Sequence, residues 1–195
     1  FTGSSLSLDG LDVVVEFDFD GTEPVARQIV QLTNNSGAAI SSSVSWINNT
    51  GNDSGQLVIG SSSDDLLFGT DDRHLVTADS LSGTDNEVNS WILYGPGDPE
   101  ITTASVSLDD GEASFGRFGD QWVRAEYNVT LGAGETQFLM WFVGINNVNQ
   151  DGLDLTTVFD DTENATFLSL IDDLSEDQLG ATVNWEFDTA TTSGT

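Results

Sequence analysis

The chain contains no cysteine and no lysine, one methionine, one histidine, three prolines, and four arginines at Arg27, Arg73, Arg117 and Arg124. Without cysteine there are no disulfides, no thiolate metal ligands and no cysteine nucleophile. The fold must therefore rest on packing. At 195 residues it has the means: a chain of this length buries roughly 70% of the surface its unfolded form exposes, and five Trp and eleven Phe supply bulky core material. Four scattered arginines make no basic cluster of the kind that neutralises phosphate, which excludes nucleic acid as a partner and disfavours an anionic membrane surface. No apolar run approaches the roughly 18 residues of a membrane-spanning helix. A single histidine leaves no partners for a His-based zinc site. A Ser-His-Asp triad would have to use His74, and no G-x-S-x-G setting accompanies it.

What is abundant is negative charge. Thirty-three Asp and Glu leave a formal net charge of −29. A folded chain of this size exposes on the order of 9,000 Å², so uncompensated charges sit at about one per 300 Å², roughly 17 Å apart. The Debye length is about 10 Å at about 0.1 M salt and about 3 Å at about 1 M. Such a surface partly repels itself in dilute buffer and is quieted in molar salt, which points to a halophilic source. Cations are the favoured small partners. A chain that begins at Phe1 and not at Met reads as a mature form after signal-peptide removal, hence extracellular, secreted or attached to the cell surface.

Period-two alternation with β-branched and aromatic residues is the dominant pattern. In Leu11–Asp20, Val15, Phe17 and Phe19 fall on one face and Glu16, Asp18 and Asp20 on the other, and Gly21 stops the run. Further strands are expected at Val25–Thr33, Ile40–Ile47, Gln56–Ile59, His74–Thr77, Ser90–Tyr94, Thr102–Leu108, Ala113–Arg117, Gln121–Leu131, Thr136–Ile145 and Ala181–Phe187. Turn-rich Gly, Asn, Asp and Ser separate them. The expectation is an all-β antiparallel sandwich of about ten to twelve strands in two sheets, with one or two short helices near the C-terminus. One helix is expected in Thr162–Leu174, where Ala165, Leu168, Ile171 and Leu174 recur near helical spacing. The other follows Ser175, whose Gln178 completes a capping box. Residues 1–188 read as one domain and 189–195 as a flexible tail.

Several segments are similar to a recurrent β-sandwich module of large secreted surface proteins from bacteria and archaea. They are Asn49-Thr50-Gly51-Asn52-Asp53, Ser61-Ser62-Ser63-Asp64-Asp65, Asp72-Arg73-His74-Leu75-Val76-Thr77, Ile92-Leu93-Tyr94-Gly95-Pro96-Gly97, Gly134-Glu135-Thr136 with Phe138-Leu139-Met140-Trp141-Phe142, and Leu179-Gly180-Ala181-Thr182-Val183-Asn184-Trp185. The resemblance spans most of residues 28–187 and implies an exported β-sandwich without assigned chemistry. The chain also resembles secreted fibre-forming subunits of biofilm matrices and archaeal pili, in its amino-terminal strand and its closing Trp185-Glu186-Phe187. That resemblance implies polymerisation, in some subunits by donation of a terminal strand. Ser5, Leu6, Ser7, Leu8 and Asp9, cut off by Gly10, would be the assembly strand; an edge strand in its own sheet is the plainer reading.

Hard cations want clustered oxygen ligands. Asn147, Asn149 and Asp151 alternate ahead of Gly152, as in the opening of an EF-hand loop, with Asp154, Asp160 or Asp161 available in place of the missing bidentate Glu. These six form the candidate calcium site; Asp64, Asp65, Asp71 and Asp72 form a lesser one. Acids solvating a saline surface are the alternative to both. Five glycosylation sequons lie at Asn34, Asn48, Asn52, Asn128 and Asn164. The five Trp fall in expected strands and read as core, with Trp122 the best outward candidate for sugar stacking. Two carboxylates at glycosidase spacing would arise by chance among so many acids, so no catalytic residue is assigned and the chain reads as a non-enzyme.

The expected function is a structural subunit of an extracellular assembly (a filament, pilus-like fibre, surface coat or matrix) adapted to high salt and joined through β-edge or face contacts. Self-association or other surface proteins would be its partners. The alternatives are a calcium-dependent carbohydrate- or protein-binding surface module and a coat or spike protein of a virus of a halophilic host.

Overall fold

A computed structural model describes residues 6–8, 10–50, 56–81, 84–109 and 122–187. The expected strand Ala113–Arg117, the tail Thr189–Thr195, and Ser5, Asp9 and Asn52 lie outside them. The described residues form ten strands and three short helices, an all-β sandwich. The strands are β1 (Leu6–Leu8), β2 (Leu11–Phe19), β3 (Val25–Asn34), β4 (Ile40–Asn49), β5 (Leu57–Ser61), β6 (His74–Ala78), β7 (Thr84–Ile92), β8 (Ser105–Asp109), β9 (Trp122–Leu131) and β10 (Thr136–Val148). Every strand pairing is antiparallel. One sheet runs β1-β2-β3-β10-β7-β6-β5; the other runs β4-β9-β8.

The smaller sheet lies over the middle of the larger. The Trp46 indole on β4 donates to Gln28 Oε1 on β3 at 2.7 Å and stacks on Trp141 of β10 at 6.0 Å. Tyr127 on β9 donates to the Leu93 carbonyl, just past β7, at 2.8 Å. Between the sheets lie Leu32, Leu75, Trp91, Val123, Val129, Leu139 and their neighbours. β2 and β1 therefore project beyond β4.

The opposite face of the large sheet carries a second core. Ile29, Met140 and Phe142 pack there against Leu155, Phe159, Phe167, Ile171 and Trp185. Those residues come from α1 (Asn149–Thr157), a single 3-10 turn (Val158–Asp160), α2 (Ala165–Ser169) with the turn after it, and the segment after α3 (Glu176–Gly180). The capping box at Ser175 and Gln178 forms as the sequence indicates. α2 is shorter than expected, capped by Asn164 Oδ1. It turns Phe167 inward and leaves Leu168 exposed, so Phe167 and Leu170 take the buried face in place of Leu168.

Two expectations need correction. Residues 149–157, read as a loop, are helical. Gly, two Thr and two Asp make this a poor helix on its own, and close packing on the sheet stabilises it. A Cβ on Gly152 would lie 2.5 Å from Val88 Cγ1, and one on Gly144 of β10 would run into Leu155. The expected last strand, Ala181–Phe187, makes only a parallel bridge, Thr182 with Phe138. β7 leaves the edge of β10 at Ile92, and the closing segment fills the gap. Asn184 takes part with its side chain, accepting from Met140 N–H (2.9 Å) and donating to the carbonyls of Met140 (2.8 Å) and Leu93 (3.0 Å).

Arg27 ties the helical layer down. Its buried guanidinium donates to both oxygens of Asp173, at 2.6 and 2.7 Å, and to the Leu170 carbonyl at 2.5 Å. This pair holds the Asp173 carboxyl below the usual carboxylate range.

Two predictions follow from this packing. Gly144→Ala is expected to destabilise by about 1–3 kcal/mol through overpacking, with part of the loss recovered when Leu155→Ala is added, as chemical denaturation at fixed molar salt would read. Asp173→Asn is expected to cost about 1 kcal/mol at neutral pH, because the carboxylate is half exposed. A depressed carboxyl stabilises the fold above its unfolded pKa and ceases to do so as pH falls through the folded one, so the gap between variant and parent should close below about pH 4. Burial of His74 also lowers its pKa, so its protonation in acid favours unfolding, but that effect is common to both proteins and cancels in the difference.

Candidate functional site

Two features stand out as surfaces for contact: an open sheet edge and a cleft lined by carboxamides.

The edge is β4. It pairs with β9 over ten regular residues, Ile40–Asn49 against Leu131–Trp122, and no described strand pairs on its other side. Natural edges are usually guarded by charge, proline or a bulge. β4 has none of these: its sequence is Ile-Ser-Ser-Ser-Val-Ser-Trp-Ile-Asn-Asn, without a charged residue. Beyond it the projecting strands present a shelf about two strands, or about 10 Å, wide. On that shelf Val13, Val15 and Phe17 are only half-buried, Phe19 is 72% exposed, and Leu6, directly opposite Val13, is 57% exposed.

The cleft, of about 720 Å³, opens where β10 runs out of the sheet. The β10–β7 register slips between Asn146 and Val148, a bulge of the kind that re-aims side chains near binding sites. Its polar lining is Asn49, Asn89, Asn146, Asn147, Glu87 and Asp151, and Pro24 and Ile145 give it an apolar side. Asn89 is buried and donates to the Thr50 carbonyl at 2.7 Å, tying the end of β4 to β7. The Asn146 Nδ2 group is buried and meets no acceptor.

The six residues of the expected calcium loop are dispersed. Asn147 and Asp151 line the cleft. Asn149 donates to the Ser80 carbonyl at 2.9 Å and Asp154 accepts from Gln150 at 2.7 Å. Asp160 binds Arg73 at 2.8 Å and lies 3.5 Å from His74 Nε2, while Asp161 accepts from the Glu163 N–H. Among the described residues no three His, Asp or Glu side chains converge as a metal ion needs. Asp72 is fully buried, accepting from the N–H groups of Ser63 (3.0 Å) and Gly69 (2.8 Å), and so organises the loop between β5 and β6. Asp65 accepts from Leu67 N–H and the Ser63 hydroxyl, which hold its carboxyl low.

The sequons separate by accessibility. Asn34 is fully buried, and its Nδ2 donates to the carbonyls of Ala38, Leu131 and Gly132 at 2.8, 3.1 and 2.9 Å. The Asn48 Nδ2 is buried as well. Asn164 is half-buried, its oxygen spent on capping α2, whereas Asn128 is exposed on the outer side of β9. Leu6, Ser7 and Leu8 of the expected assembly strand form β1 and pair with β2 in their own sheet. Trp46, Trp91, Trp141 and Trp185 are buried; Trp122 is half-buried.

Sequence reasoning did not single out the β4 edge or the cleft as a unit. The serine run Ser41–Ser43, in a chain this acidic, and the cluster Asn146, Asn147 and Asn149 at the end of a hydrophobic strand were the available signals. No protein-family model matches the chain, and no curated protein is similar to it.

The contrast between sequons is testable. Asn34→Ala is expected to cost about 3 kcal/mol by removing three buried hydrogen bonds to main-chain carbonyls, whereas Asn128→Ala should change stability by less than about 0.5 kcal/mol, both read by thermal unfolding.

Proposed function

We propose that this chain is a structural subunit of an extracellular assembly adapted to high salt, with copies joining along sheet edges. The observation that carries the reading is the uncharged, ten-residue open edge of β4 beside its apolar shelf. Copies of a protein with net charge −29 repel one another, so close contact is least costly where charge is missing and where apolar surface gains by burial. An extended segment of a second copy laid along β4 would pair with the N–H and C=O groups on the side turned away from β9, widen the smaller sheet, and lie over Val15 and Phe17. Such a segment needs small and apolar residues in alternation, as in Leu6-Ser7-Leu8. Molar salt screens the remaining carboxylates, and the resemblance to exported fibre-forming subunits points the same way.

The purified chain is expected to form oligomers or filaments in molar salt and to disperse in dilute buffer, seen by light scattering and electron microscopy. Ser43→Glu on the edge and Val15→Asp on the shelf should each abolish assembly while circular dichroism stays unchanged. A persistent monomer at high protein and salt concentration, or assembly untouched by both substitutions, overturns the reading.

A further inference from the structure

We infer that the carboxamide cleft at the end of β10 is a binding site for a neutral saccharide. The inference does not rest on the assembly reading: the cleft shares only Asn49, the last residue of β4, with the edge, and none of the residues on which the argument or its test depends.

The lining excludes most ligand classes by charge. No arginine or histidine contributes to it. Arg27 is held by Asp173, Arg73 by Asp160 and Arg124 by Glu126, and Arg117 lies outside the described residues. With Glu87 and Asp151 in the walls and a strongly negative protein behind them, phosphates, sulfates and uronic acids are repelled. What remains is a ligand whose polar groups are uncharged and both donate and accept. Sugar hydroxyls do both. The exposed Asn147 carboxamide offers a donor and an acceptor side by side, and the Glu87 and Asp151 carboxylates accept further hydrogen bonds from hydroxyls.

The detailed chemistry agrees. Asn146 Nδ2 is a buried donor without a protein acceptor, and buried polar groups that are unpaired call for a partner. A sugar hydroxyl in the cleft supplies one. The Ile145 side chain, 64% exposed where the buried run 137–144 of β10 ends, lies with Pro24 on the apolar side, where the C–H face of a pyranose packs. A cleft of about 720 Å³ falls within the range of small-molecule sites. The Asn89 bond to Thr50 preorganises the floor, so little ordering is needed on binding.

The test is a titration of the full ¹⁵N-labelled chain carrying Ser43→Glu and Val15→Asp, which lie outside the cleft and keep the chain dispersed, in molar sodium chloride with a chelator present. The probes are cellobiose, N,N′-diacetylchitobiose and mannobiose, with digalacturonate as the anionic control. At least one neutral disaccharide should shift the side-chain amide resonances of Asn89, Asn146 and Asn147 in a saturable way, with digalacturonate at least about tenfold weaker. Asn147→Ala and Asp151→Ala, both at exposed positions, should each weaken binding about tenfold, and Asn128→Ala on the far sheet should not. The inference is overturned if no neutral probe moves those amides, if digalacturonate binds as well, if binding requires the chelator to be left out, or if both cleft variants bind like the parent. Assembly is read separately on the unsubstituted chain, so a failure of assembly and a failure of sugar binding are distinguishable.

Discussion

Trp141 and Phe142 follow one another on β10 and belong to different cores, and the rest of the structure is arranged around that constraint. A strand at the centre of a sheet turns alternate side chains to opposite faces, and along β10 both faces are apolar. Trp141 packs with Trp46 and Tyr127 beneath the smaller sheet. Phe142 packs with Phe159, Phe167 and Trp185 on the other side. Two faces of this kind need two covers. The smaller sheet is one, and the other is a layer of helices too short to persist alone, held by apolar contact, by Arg27 and Asp173, and by the Asn184 side chain.

Where these covers end, the molecule exposes the β4 edge and the cleft. The smaller sheet spans only the middle of the seven-stranded one, so its β4 margin and the β1–β2 shelf are left beside each other. At the far end of β10 the strand emerges from both layers, its register slips, and the side chains change from Trp and Phe to Asn. The cleft is therefore a consequence of the termination of the core. Both places are poor in positive charge, and the β4 edge is poor in charge of either sign. In so acidic a protein, that neutrality distinguishes the edge from the solvating surface elsewhere.

The asparagines show why residue type alone does not assign a role. Asn34, Asn89, Asn146, Asn164 and Asn184 have the same side chain. Asn34 and Asn184 stand in for strand pairing, Asn164 caps a helix, Asn89 fixes a loop, and Asn146 is left with an unpaired donor in a cleft wall. In each case the neighbouring backbone decides, and that backbone arrives from segments distant in sequence. Asn34 depends on the turn at Leu131 and Gly132, and Asn184 on Met140 and Leu93.

The sequence alone determined the strand class, the charge character and the local signals: alternation in β2, β3 and β9 and the capping box at Ser175 are properties of neighbouring residues and survive in the fold. It also indicated that most of the Trp residues are core. Tertiary structure decided what depends on contacts between distant segments. It placed α1 where the local residues favour a loop, because Gly144 and Gly152 allow the helix to approach the sheet, and it turned the expected last strand into a bridge because β7 had vacated only part of the edge of β10. It also divided the strands between the sheets, leaving β4 with one neighbour among the described strands. The physical reason is the range of the forces involved: period and capping act within a few residues, whereas burial, edge pairing and the satisfaction of buried amides are settled between elements that meet only when the chain has folded.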